Sequence, residues 1–129
     1  MLNKKGGNKV NNWAYVVMAM LSVNQFPIEK ALGLHDQLEA NGLFDLQNLA
    51  SWNHSRIFEK LKESGYNKAD LVVGYVTERL MSLGALAANI QENDNILNNG
   101  SKQEVTDLLS KVKGIGPVVL NNFLQLRGK

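Results

Sequence analysis

The sequence predicts an all-α protein, a compact multi-helix domain that closes on a helix–hairpin–helix. Three observations carry this. Apolar residues recur at helical spacing, beginning with Trp13, Val16, Val17, Met20 and Leu21. Helix start and stop signals flank these runs, among them Pro27, Gly42 and the stretch Ser101-Lys-Gln-Glu104. No pair of alternating strands, internal repeat or long linker interrupts the pattern. With 129 residues, 44% of them hydrophobic, the chain suits one globular domain with a core that needs no covalent staple.

Taken in order, the first element is a buried helix over about 12–23. Pro27 opens the next in its first turn, where a missing N–H has no consequence, and Gly42 ends it. Short helices follow at about 45–51 and 54–63, the second stopping near Gly65. A long helix is expected over 67–91, with Leu71, Val72, Tyr75, Val76, Leu80, Leu83, Leu86 and Ile90 as its apolar side. Asn93 to Gly100, NDNILNNG, reads as loop by composition. Ser101 then starts a capping box: its hydroxyl accepts from the Glu104 N–H, and the Glu104 side chain reaches back. Helix 102–111 leads to Lys113-Gly114-Ile115-Gly116, and Pro117 takes the first position of a last helix to about 126. The expected organisation is a basic tail over 1–11 and a single helical domain over 12–129, with the helix–hairpin–helix at 102–127.

Composition removes several chemistries. The chain has no cysteine, so disulfides, thiolate nucleophiles and thiolate metal centres are excluded. Its apolar runs look too short and interrupted to span a membrane. Its first residues do not resemble a signal peptide, which points to the cytoplasm. His35 and His54 lack partners at metal-ligand spacing. Charge is unevenly placed. Lys4, Lys5 and Lys9 stand at one end and Lys111, Lys113, Arg127 and Lys129 at the other, with no acid among either group. Residues 13–110 hold seven basic side chains and all twelve acidic ones. Basic ends on an acidic middle suggest a polyanionic partner.

The stretch VKGIGPVVL, Val112 to Leu120, gives that partner a place to bind. Glycines at 114 and 116 allow positive φ and close approach of another backbone. The N–H groups of Gly114, Gly116, Val118 and Val119 then meet at a helix N-terminus without intrahelical acceptors, which is an anion site. Ile115 is the expected hydrophobic plug of the turn, and Lys111 and Lys113 add positive charge. Such a contact grips phosphate and reads no sequence.

Three stretches widen the comparison. MLSVNQ (Met20 to Gln25), SGYNKADLVVGYV (Ser64 to Val76) and LLSKVKGIGPVVLNNFLQLRG (Leu108 to Gly128) resemble, in order and spacing, segments of the endonuclease III-like HhH-GPD superfamily of DNA glycosylases. The resemblance covers roughly residues 13–128 and implies a fold like that family's six-helix lobe. It also implies a place in base-excision repair and double-stranded DNA as partner, with a nucleoid-associated location if DNA is bound. By resemblance, the backbone carbonyls of Ser110, Val112 and Ile115 would hold a monovalent cation, potassium or sodium. Asn24 or Gln25 would fill the gap left by a flipped nucleotide, and Lys68 would touch a phosphate. No organic cofactor is implied.

Departures from the family bear on catalysis. Val118 and Val119 occupy the region of the family's lyase lysine, so no Schiff-base nucleophile is in place. Nothing from Ile115 to Lys129 is acidic, so the hallmark aspartate is absent, and an iron–sulfur cluster has no cysteines to hold it. Asp94 and Asp107 are the substitute acids that sequence order offers, with loop-forming and helix-supporting roles as their plainer readings. Whether the chain is an enzyme stays open at this stage. The expected function is a DNA-binding lobe. One alternative is a glycosylase whose acid comes from an unrecognised residue or a second polypeptide. Another is a helical interaction module that self-associates through an exposed C-terminal apolar face built on Val118, Val119, Leu120, Phe123, Leu124 and Leu126.

Overall fold

Helix α1, Asn12–Leu21, is buried on every side from Val16 to Leu21, and the other helices are laid around it. A helix that is apolar all round belongs at the centre of a domain, where no face needs to be polar. The computed structural model describes residues 12–22 and 26–127, so the basic tail with Lys4, Lys5 and Lys9, the residues Asn24 and Gln25, and Lys129 lie outside the described residues. Among the described residues all regular structure is helical.

After α1 come α2 (Ile28–Gly33), α3 (His35–Ala40), α4 (Leu46–Ser51), α5 (His54–Glu63) and α6 (Asp70–Gly84). A 3-10 segment, Ala85–Asn89, joins α6 to α7 (Ile90–Asn99), and α8 (Lys102–Leu109) and α9 (Pro117–Arg127) close the fold. Helices α2, α6 and α9 pack on α1, while α4 and α5 pack on α6. The capping box at the start of α8 is formed: the Ser101 hydroxyl accepts from the Glu104 N–H at 3.1 Å, and the Ser101 N–H donates to Glu104 Oε1 at 2.8 Å. Pro117 opens α9 as the sequence predicts.

Two expectations are corrected. The long helix expected over 67–91 starts at Asp70 and gives way at Ala85. Its buried side is Val73, Val76, Thr77, Leu80 and Leu83, whereas Leu71 and Tyr75, expected inside, are 67% and 49% exposed. At its end Gly84 meets the backbone of α4 closely: a Cβ there would stand 2.6 Å from the Leu49 carbonyl carbon. Second, NDNILNNG is mostly helix, as the body of α7. Burial of Leu97 and side-chain bonding outweigh the weak helix propensity of asparagine. The Asn93 amide donates to the Leu86 carbonyl at 2.9 Å, and the Asn99 amide to Asn95 Oδ1 at 3.1 Å.

On length and composition alone, the 30-residue run Asp70–Asn99 is apolar enough to cross a membrane, which the sequence reading did not anticipate. In the fold, α1, α4 and α5 pack on its first half, and about a third of its most apolar window is buried.

Candidate nucleic-acid interface

The turn between α8 and α9 is held from inside and from beside. Val112 is buried, Ile115 packs partly buried against the core, and the Ile115 N–H donates to the Val112 carbonyl at 3.3 Å. This is the plug the sequence predicts. From the side, the Lys113 N–H donates to Ser82 Oγ on α6 at 2.9 Å, and Lys113 Nζ lies 3.5 Å from Glu78 Oε1. Gly114 takes a φ of +89°, a conformation that L side chains rarely adopt. Gly116 does not use the positive φ that glycine allows. Its surroundings are instead open, with no atom within 4 Å of where a Cβ would stand.

Helix α9 makes its first backbone bond from the Leu120 N–H to the Gly116 carbonyl at 3.0 Å. No described residue accepts from the N–H of Gly114, Gly116, Val118 or Val119. Gly114, Gly116 and Val118 are exposed, while the Val119 side chain is buried. N–H groups without acceptors at the positive end of an eleven-residue helix are where the helix dipole favours an anion. The carbonyls of Ser110 and Ile115 receive no hydrogen bond from described residues, and the Val112 carbonyl receives one, from the Ile115 N–H.

The cations expected at the C-terminal end disperse. Lys113 stays on the hairpin. Lys111 lines a groove with Glu92, Glu104 and Asp107. Arg127 donates to the Leu97 and Gly100 carbonyls at 3.2 and 3.1 Å, satisfying the end of α7. Sequence reasoning passed over Arg79, whose side chain lies across Gly114: a Cβ on that glycine would stand 2.5 Å from Arg79 Cγ and 2.7 Å from Nε. Only its place on the flank of an apolar helix face could have singled it out. Arg79 also sits near Tyr66, whose hydroxyl donates to the Leu21 carbonyl at 2.9 Å. Burial pushes the Tyr66 phenol up to about 12, with the Arg79 charge pulling the other way. Beside this corner, the Asn122 amide donates to Ser22 Oγ at 3.3 Å, which sets Ser22 next to α9. Lys68 is partly exposed in the loop before α6.

The candidate acids have other tasks. Asp94 lies on α7, not in a loop, and accepts from the Trp13 indole N–H. It lines an open cleft of about 500 Å³ with Trp13, Phe44 and Asp45, and Asp45 caps α4 by accepting from the Gln47 N–H at 2.9 Å. Trp13 and Leu21 stand at opposite ends of α1, about 12 Å apart by helical rise, so Asp94 and the Tyr66 corner serve different ends of the fold. Asp107 is exposed and accepts from the Gln103 amide at 2.8 Å. His35 pairs with Asp36, and His54 stacks on Phe58. Among the described residues no three His, Cys, Asp or Glu side chains gather as a metal site.

The C-terminal apolar face is mostly occupied. Val119, Phe123 and Leu126 are buried, Leu120 and Leu124 pack on the core, and α9 covers α1; Val118 alone of the six stays largely exposed, at 68%. Compared with protein-family models, with curated proteins and with solved structures, the chain matches none.

Proposed function

We propose that the chain binds the phosphate backbone of duplex DNA through the α8–α9 hairpin, as a helix–hairpin–helix lobe of the kind that glycosylases of the HhH-GPD superfamily carry. The exposed N–H groups of Gly114, Gly116 and Val118, without protein acceptors among the described residues, are the observation that supports it most. Their dipoles favour an anion, Ser82 fixes the turn that presents them, and Lys113 contributes charge from an exposed side chain. Its ion pair with Glu78 is a surface contact worth little, so a phosphate competes for it. Contacts of this sort position a protein on DNA without reading bases. A monovalent cation on the Ser110, Val112 and Ile115 carbonyls would add charge at the same turn. No base-release step is assigned, because Asp94 is engaged by Trp13 and Asp107 is solvated on α8.

The test is fluorescence anisotropy of a labelled duplex with an abasic-site analogue beside an intact one, across a range of salt. Affinity that falls steeply with salt is expected, with log K dropping about 0.9 per log unit of salt for each phosphate neutralised. Preference for the abasic duplex would extend the role to repair. Absence of binding to either duplex at low salt would leave the hairpin as a packing turn.

A second reading has its own observation. Leu71 and Tyr75 form an exposed apolar pair one turn apart on α6, as an interaction module would present. Sedimentation showing association that rises with concentration would favour it, and a monomer at all concentrations would remove it.

A further inference from the structure

We infer that Arg79 is the side-chain half of the phosphate grip, placing its guanidinium on the same phosphodiester that the hairpin N–H groups hold. This rests on the phosphate-binding reading above and adds a residue from a distant part of the chain. Three observations lead to it.

The first is packing. The Cγ, Cδ and Nε atoms of Arg79 lie where a side chain on residue 114 would be, so glycine there both takes the positive φ and clears a path for the arginine. The aliphatic stem thus covers the turn, with Nε beside Gly114 and the side chain partly exposed.

The second is an unmet requirement. Arg79 is only partly exposed, and a guanidinium carries five N–H donors in a fixed fork. Among the described residues no carboxylate is within ion-pair distance of it and no acceptor takes a hydrogen bond from it. The acid beside it in sequence, Glu78, is paired with Lys113 instead. A half-buried arginine left in this state favours an incoming anion, and its planar fork matches two oxygens of a phosphate.

The third is convergence. Ser82, on the same helix, fixes the hairpin through the Lys113 N–H, so α6 supplies both the anchor of the turn and the cation beside it. The hairpin brings dipoles and α6 brings full charge.

The experiment compares Arg79→Met and Arg79→Lys with the unaltered chain in duplex titrations at several salt concentrations. Methionine keeps an apolar stem over Gly114 and removes the charge. The expected result is an affinity about tenfold weaker at low salt and a salt slope shallower by about 0.9, the value of one phosphate contact, with an unchanged thermal midpoint. Lysine keeps charge and loses the fork, so the slope should hold while affinity falls severalfold. If Arg79 only packs, Arg79→Met, which keeps that stem, should leave midpoint, affinity and slope all unchanged. Wild-type slope and affinity in Arg79→Met, together with loss of binding in Gly116→Glu, would reject Arg79 and keep the hairpin. If Arg79→Met fails to fold, wild-type affinity in Arg79→Lys rejects the inference. If the unaltered chain binds no duplex at low salt, the phosphate reading fails, and the role of Arg79 with it.

Discussion

Arg79 lies across Gly114, so a residue in the middle of α6 occupies the space that a side chain on the α8–α9 turn would need. The turn is therefore doubly committed to glycine there, by its φ of +89° and by its neighbour. Gly114→Ala should lower the unfolding free energy by about 1–2 kcal/mol, the cost of a left-handed residue with a Cβ. It should also displace Arg79 and weaken duplex binding. Urea denaturation reads the first effect and anisotropy the second.

Two glycines of α6 should respond to the same substitution with opposite signs. A Cβ on Gly84 would stand 2.6–2.8 Å from the backbone of Leu49 and Ala50, so α4 must move. Gly84→Ala should destabilise by about 1–3 kcal/mol, the usual range for overpacking. Gly74 lies inside the same helix with nothing within 4 Å of a Cβ. Gly74→Ala should stabilise by about 0.5–1 kcal/mol, because only the helix propensity changes. Denaturant midpoints of the two variants check the signs.

These two glycines also show what the sequence could convey. Local signals were legible: the capping box at Ser101, Pro117 at the head of α9 and the plug at Ile115 each depend on residues a few positions apart. The full extent of the buried face of α6 was less so. Val76, Leu80 and Leu83 are buried as expected, but Leu71 and Tyr75 turn outward and Val73 and Thr77 inward, an edge that depends on contacts with other helices, such as that of Gly84 with α4, which no local pattern encodes. The helix through Asn93–Asn99 was hidden likewise, because composition favours a loop until Leu97 finds a core. At the hairpin, the glycines and free amides were visible in advance, whereas Arg79 and Ser82 reach the turn only through tertiary packing.

The capping box gives a direct local test. Ser101→Ala removes the acceptor for the Glu104 N–H at the start of α8 and should cost about 1 kcal/mol. Helix α8 leads directly into the hairpin, so hydrogen exchange of its first turn should quicken along with the loss of global stability.

Tyr66 predicts an alkaline limit. Its phenol is raised from the ordinary 10 to about 12, so the folded state holds a proton that the unfolded chain releases earlier. Protons bound by the folded state exceed those of the unfolded state between these values, and stability must fall as pH rises through that window. Below pH 10 the contribution is fully present. Tyr66→Phe loses the bond to the Leu21 carbonyl and should be less stable at neutral pH, with a flatter decline above pH 10 than the unaltered chain. Parallel declines would contradict the assignment.

The most direct test of phosphate binding is a pair of substitutions at Gly116, where φ is not positive and a Cβ meets no atom within 4 Å. Alanine and glutamate therefore both fit without disturbing the turn. Duplex titrations should show Gly116→Ala binding close to the unaltered chain, with a similar salt slope. Gly116→Glu, which sets a carboxylate among the free N–H groups of α9, should lose binding while keeping its thermal midpoint. Equal binding by the two variants would contradict the account, since the amides of the hairpin would then have no part in holding DNA.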